Sequence, residues 1–213
     1  MKQIRFNGLG MHQGTMWRLS DAQSRSISAE NPTGEKGKGA MADPDPDGPA
    51  RELGKGWKCR PFVTIEAGDT YTLADIEGPG AVQSMWFGGY VGRDFILRVY
   101  WDHQEYPSVE CPLPDFFGMP WITHDMFMTR GPYAHLNSQM VTVNPNRGFN
   151  CFWEMPFRRH CRITLENIRP KEDLFCYHQI NYTLTEVPPD AAYFHAQFRR
   201  TKDSQSRSEH VAA

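Results

Sequence analysis

Phe95-Ile96-Leu97-Arg98-Val99-Tyr100-Trp101 is apolar or aromatic at every position but Arg98. Aromatic and β-branched side chains in a short run bounded by turn residues read as a strand, and the near-continuous apolar character predicts burial on both faces. Asp102-His103-Gln104-Glu105 closes the run as a turn. Upstream, Ala81–Tyr90 reads as a strand through Val82, Met85, Trp86 and Phe87, and Gly78-Pro79-Gly80 separates it from the alternating Thr70–Ile76. Ala67-Gly68-Asp69 is a turn, and Phe62–Glu66 alternates before it.

The same rhythm continues downstream. Ser108–Leu113, Gln139–Val143, Asn150–Met155, Cys161–Asn167 and Phe175–Val187 read as strands, with an irregular stretch rich in Met, Phe and Trp from Asp115 to Asn137. About eight to ten short strands with Gly and Pro punctuation, and no parallel βαβ rhythm, predict an all-β antiparallel jelly-roll sandwich. Tyr193, Phe194, Gln197 and Phe198 fall near helical spacing, so Ala191–Arg200 is expected as a short C-terminal helix. The expected organisation is an N-terminal arm and glycine-rich loop region over 1–56, a jelly roll over 57–200 and a disordered polar tail over 201–213.

Within the first region, Ser24–Ala40 has Ile27 as its one large apolar side chain, and Asp43-Pro44-Asp45-Pro46-Asp47-Gly48-Pro49 follows. Prolines forbid ladder donation and bias their neighbours to extended backbone. A loop this long costs entropy to order, so an ordered one usually binds something.

The chain has 213 residues, 39% hydrophobic and 23% charged, enough for one well-cored domain. A formal net charge of -2 and a pI near 6.4 give no general attraction for nucleic acid. The five cysteines are odd in number, widely spaced and lack a Cys-x-x-Cys pair. That pattern signals buried free thiols rather than disulfides or a zinc site. No apolar run approaches the ~20 residues of a membrane span. With no apolar leader in Met1–Gly10, the expected location is the cytoplasm. No metal or cofactor is expected: the eight histidines lack ligand spacing, and Gly34-Glu35-Lys36-Gly37-Lys38-Gly39 does not meet the phosphate-loop pattern. His124, His160 and His195 read as structural. Arg147 and Arg158 read as holding carboxylates or backbone carbonyls.

An ordered series of motifs carries a family resemblance. It comprises Ser26-Ile27-Ser28 with Asn31-Pro32-Thr33-Gly34, Ile65-Glu66-Ala67-Gly68, Leu73–Gly80, Leu97–Asp102, Ser108–Gly118, Arg147–Phe157 and Tyr193–Arg200. The series resembles domain-of-unknown-function family 2961, whose characterised members form glycoside hydrolase family 172, of difructose-dianhydride and furanosidase type. The resemblance covers the first jelly-roll half. It implies two tandem jelly rolls, cleavage or rearrangement of fructofuranosides or arabinofuranosides, and retaining chemistry by two glutamates. It also implies trimers or larger homo-oligomers whose subunits share the active-site walls. The glutamates that the resemblance implies lie in second-half motifs of Gly-Glu-Gly-Asp and Gly-Thr-Glu-Asp type, and neither occurs here. A truncated product or a single-roll protein with another role are both open.

Retaining glycosidases hold two carboxyl groups about 5–5.5 Å apart, one with a raised pKa. Glu30, Glu35, Glu105, Glu110, Asp115, Glu154 and Glu166 are available, with Glu110 and Glu154 singled out because apolar neighbours flank them. No pair is marked as a dyad. Sugar recognition needs amides, carboxylates and ammonium groups for hydroxyls, and rings for C–H faces. Glu30, Asn31, Thr33, Lys36 and Lys38 supply the first set, while Trp17, with Trp57, Trp86 or Phe116, supplies the second. The resemblance places this loop near the sugar site, facing an adjacent subunit.

The expected function is therefore the N-terminal roll of a furanoside-acting glycoside hydrolase. It would supply substrate walls and assembly contacts without the acid and nucleophile, and would be inactive alone. The alternative is a self-assembling jelly-roll subunit or a carbohydrate-binding module. A furanoside ligand and a homo-oligomeric partner are expected, with neither nucleic acid nor membrane.

Overall fold

The computed structural model describes residues 6–12, 14–122, 124, 126, 135–144 and 147–201. The expected disordered tail therefore lies, apart from Thr201, outside the described residues. The chain forms β1 (Gln23–Ser28), β2 (Val63–Ile65), β3 (Thr70–Glu77), β4 (Gly80–Gly89), β5 (Phe95–Trp101) and β6 (Val109–Pro112). The single-turn helix α1 (Leu113–Phe116) follows, then β7 (Leu136–Asn137), β8 (Val141–Val143), β9 (Phe149–Cys151), β10 (Met155–Phe157), β11 (His160–Asn167), β12 (Leu174–Leu184) and β13 (Ala196–Gln197).

Two sheets face each other. One has eight strands in the order β1-β12-β4-β9-β8-β7, with β10 also on β4 and β2 also on β12. The other has five, in the order β13-β6-β5-β11-β3. The pairs are antiparallel except β13 with β6, which is parallel. The fold is the jelly-roll type of β-sandwich that the strand rhythm predicts. No helix of the described residues is long and apolar enough to cross a membrane.

The central strand β5 alternates more strictly than its composition suggests. Phe95, Leu97, Val99 and Trp101 are buried, whereas Ile96, Arg98 and Tyr100 are only partly covered. Cys161, Ile163 and Leu165 of β11 stand opposite Trp101, Val99 and Leu97. Phe87 of β4 closes the layer from the other sheet, edge-on to Phe117, which in turn meets Phe149 edge-on. Truncating any of these side chains to Ala costs about 3–5 kcal/mol when a cavity remains. All five cysteines are buried and free, and burial pushes the Cys151 thiol up to about 12, which leaves it unreactive.

Three readings are corrected. Gln23–Ser28, read within a loop, is an edge strand: it pairs with β12 along its whole length and buries Ile27 against the core. Ala191–Arg200 is extended, not helical. The Trp101 Nε1–H donates to the Phe194 carbonyl (2.8 Å), and the Ala196 N–H donates to Ser108 O (3.1 Å). These tertiary bonds outweigh a short stretch of weak helical periodicity. Asn150–Met155 is not one strand. β9 and β10 pair with separate segments of β4, and residues 152–154 leave the ladder between them.

The chain changes sheets several times, and two of these corners lie against each other. One is Gly78-Pro79, between β3 and β4; the other is Arg158-Arg159, between β10 and β11. They are bonded to each other, Gly78 N–H donating to Arg159 O (2.7 Å). Asp102, in the turn after β5, holds the second corner. Its Oδ1 accepts the backbone N–H groups of Arg158 (3.1 Å), Arg159 (2.7 Å) and His160 (3.1 Å). Its Oδ2 accepts the Tyr193 hydroxyl. Arg158 donates to the carbonyls of Pro189 (2.9 Å) and Ala191 (2.6 Å), as read for it from sequence.

Burial works against the Asp102 charge, but the Tyr193 hydroxyl and the three N–H groups outweigh it and hold the carboxyl below the usual aspartate range. Its stabilisation is therefore complete above the unfolded pKa and is lost as pH falls through the lower folded one. Asp102→Ala is expected to cost about 3 kcal/mol at neutral pH, because several donors lose their acceptor together. Asp102→Asn, which tolerates the left-handed backbone there (φ 52°) and keeps one acceptor oxygen, is expected to cost less than half as much. Urea unfolding at several pH values checks this, and the deficit of the Ala variant should narrow below about pH 4.

Candidate functional site

Beyond β1 the chain folds back in a tight turn. Ser28 and Asn31 exchange backbone hydrogen bonds (3.2 and 3.0 Å), and Gly34 N–H donates to Asn31 O (3.2 Å). The Asn31 amide nitrogen donates to Ser26 O (3.3 Å) and Glu35 O (3.1 Å), so one side chain sets the loop's shape. Gly34 has φ 67°, and a Cβ there would come within 2.5 Å of the Tyr182 hydroxyl oxygen and 2.9 Å of Ile27. Only glycine allows the loop to lie this close to the sandwich.

The loop lines a cleft of about 320 Å³ with Glu30, Asn31, Thr33, Glu35 and Lys38 on one side and Asp43 and Arg60 on the other. Glu30 Oε1 accepts the Arg60 N–H (2.6 Å). Glu30 Oε2 and Asn31 Oδ1 are buried acceptors with no donor among the described residues. Such atoms cost about 1–3 kcal/mol each if nothing bonds them. Charged, amide and hydroxyl residues thus converge on a small volume.

Of the residues proposed from sequence, the cleft gathers Glu30, Asn31, Thr33 and Lys38. Lys36 is exposed and does not line it. Trp17 is 79% exposed on the N-terminal arm, its indole N–H donating to Gly14 O (2.9 Å). Trp57 is exposed, and Trp86 lies on the outer face of the eight-stranded sheet. The apolar contribution to the cleft comes instead from Pro32, Met41 and Ala42.

The two singled-out carboxylates have other partners. Glu110 and Glu166 flank Arg98 on the outer face of the five-stranded sheet, at 2.5 and 2.6 Å. Glu154 accepts the Gly10 N–H through Oε2 (2.7 Å) and the Gln83 amide through Oε1 (3.0 Å), tethering the arm. His160 is bonded to Asp75 and stacks on His103. His124 stands between Asp94 and Glu172.

A larger cleft, about 560 Å³, went unread in the sequence. Phe116, Trp121, Trp153, Phe194 and Phe198 wall it, and Asp115 enters from α1. The Asp115 side chain is 10% exposed and 3.4 Å from Arg93. Burial pushes its carboxyl above the usual range, and Arg93 only partly opposes this. The walls come from segments far apart in sequence, so no local pattern announces them.

The profile of one family, the GH172 first β-sandwich domain, matches residues 51–202, well over half of the chain. No curated protein matches it.

Gly34→Ala is expected to destabilise the protein by about 1–3 kcal/mol, as an overpacked contact does. Hydrogen exchange should show faster amide exchange over residues 30–38, with β5 and β11 unchanged. Unchanged exchange in the loop would show that the Gly34 approach does not hold it.

Proposed function

The chain belongs to GH172 through the family's first β-sandwich domain, and from that premise we propose that it is a sugar-binding wall of a glycoside hydrolase acting on fructofuranosides or arabinofuranosides. The observation that carries the reading is the cleft that Glu30, Asn31, Thr33, Lys38 and Arg60 line together, an internally bonded loop presenting carboxylate, amide, hydroxyl and cationic residues to one small volume. Vicinal sugar hydroxyls donate to carboxylate and amide oxygens and accept from ammonium and guanidinium groups. The cleft lies at the lower end of ligand-site volumes, which suits one furanose ring.

The acid and nucleophile are not among the roles we assign to this chain. Glu110 and Glu166 share the Arg98 guanidinium on the outer face of the five-stranded sheet, and we assign them to that ion-pair network. The family profile is that of a first sandwich, and we assign the aromatic cleft of Trp121 and Trp153 to contact with a companion sandwich. Met16, Trp17 and Leu19 of the arm are exposed. They support assembly into trimers or their multiples, because a neighbouring subunit would cover them.

Calorimetry with methyl α-D-arabinofuranoside and methyl α-D-fructofuranoside tests the wall. A Kd near 1 mM, about 4 kcal/mol, is expected for one of them. Glu30→Gln, which keeps the acceptor for Arg60, and Lys38→Met should each weaken it several-fold. The aryl glycosides should not be hydrolysed by the chain alone, and turnover that persists through repurification overturns the wall assignment. Light scattering checks assembly: Trp17→Ser with Leu19→Ser should lower the mass at micromolar concentration, and a strict monomer before substitution counts against it.

A further inference from the structure

The two outer sheet faces differ in a way that neither the loop cleft nor the family match explains. On the five-stranded sheet the outward positions carry charge: Arg98 between Glu110 and Glu166, and Arg162 over the Tyr100 ring. On the eight-stranded sheet the register lines up Asn137, Thr142, Asn150, Trp86, Gln179 and Ser28 in one row across six strands. A second row holds Ser84, Asn181 and Ser26. Side chains alternate between faces along a strand, so these rows point away from the core that Phe87, Phe149 and Ile180 fill. Among the described residues, neither row contains an acid, a lysine or an arginine.

Trp86 sits in the middle of the longer row. A Cβ on Gly88 would lie 3.0 Å from Trp86 Cζ2 and 3.2 Å from Cη2. The six-membered ring therefore rests on the strand where a side chain is missing, and 37% of the residue remains exposed. A glycine inside a strand weakens it and marks a close approach; here the approaching group is this ring. Around it the amides are already ordered, Gln179 donating to Asn181 Oδ1 (3.0 Å) and Asn181 to Ser84 Oγ (2.9 Å).

We propose that this face binds an extended, uncharged polysaccharide laid across the strands, with the Trp86 ring as its stacking platform. Six strands at about 4.8 Å spacing give a row roughly 24 Å long, the scale of an oligosaccharide and not of a single sugar. Amides and hydroxyls both donate and accept, as sugar hydroxyls require, and the exposed part of the Trp86 indole offers an aromatic surface to the C–H face of a pyranose or furanose. Among the described residues neither row carries a cation, which disfavours nucleic acid and acidic glycans as occupants. Tyr177 and Phe175 continue the same face beyond Gln179 and pack on Phe62, so a protein occupant is an outcome the test must separate.

Native gels cast with inulin, debranched arabinan or hydroxyethylcellulose, and with polygalacturonate as the charged control, test the proposal. Retardation is expected with at least one neutral polymer and not with polygalacturonate. Trp86→Ala should weaken it about tenfold, the size of one lost aromatic stack, in protein whose far-UV circular dichroism shows the sandwich still folded. Gln179→Ala provides a second, milder variant in case Trp86→Ala does not fold. Lys38→Met, which tests the loop cleft, should leave retardation intact, so failure of either site is distinguishable from failure of the other. The proposal is overturned by no retardation in any neutral polymer, or by retardation unchanged in both face variants. It is also overturned if light scattering shows a dimer that Trp86→Ala dissociates, which would make a second copy the occupant.

Discussion

The carboxylate of Asp102 is the constraint on which this sandwich depends. A jelly roll must pass its chain from one sheet to the other, and backbone groups at each corner leave the ladders without partners. At Arg158-Arg159 three consecutive N–H groups converge on one Asp102 oxygen, while the other oxygen takes the Tyr193 hydroxyl. One side chain thereby joins the end of β5, the entry to β11 and the C-terminal segment. The neighbouring corner at Gly78-Pro79 is bonded to the same turn through Arg159 O. The corner must hold if the strands are to keep register, because a one-residue slip in β11 would turn Ile163 and Leu165 away from the core.

Register is also what separates the two outer faces. The core-facing half of each strand is dictated by burial, so the other half is free to carry chemistry. On β5, β6 and β11 that half became an ion-pair surface, in which Arg98 and Glu166 are partly covered and Glu110 is exposed. On β1, β4, β9 and β12 it became rows of amides and hydroxyls around one indole. The loop cleft belongs to neither face. It is built where β1 ends, by a turn that glycine alone allows to approach Tyr182.

How much of this was legible in the sequence follows from the range of each interaction. The bounds of Phe95–Trp101 were readable to the residue, because a turn-bounded apolar run is a local signal, but the continuous run suggested burial on both faces and concealed the alternation that the sheet imposes. Gln23–Ser28 was not, since only Ile27 marks its buried side and serine is a poor strand former. The extended Tyr193–Phe198 segment was hidden for a different reason: its bonds run to Trp101 and Ser108, far away in sequence. Glu30, Asn31, Thr33 and Lys38 stood out as a polar cluster in a loop with no core to serve. Trp17 and Lys36 shared that composition but point elsewhere. The aromatic cleft and the place of Trp86 in its polar row depend on which strands are neighbours, and no linear pattern records that.

The buried oxygens of Glu30 and Asn31 bear most directly on what the molecule is for. A loop under selection for stability alone would have its acceptors satisfied, or replaced by apolar groups of similar shape, because an unpaired buried oxygen is a net loss. Asn31 already spends its amide nitrogen on Ser26 and Glu35, and Glu30 one oxygen on Arg60. Each residue therefore holds the loop with one atom and keeps its second oxygen buried beside the cleft, without a partner among the described residues. Internal bonds thus order the loop before any ligand arrives, as a preorganised binding wall requires. The glutamates on the open sheet face have another role, pairing with Arg98, and the sugar-holding role proposed for the loop makes no use of them.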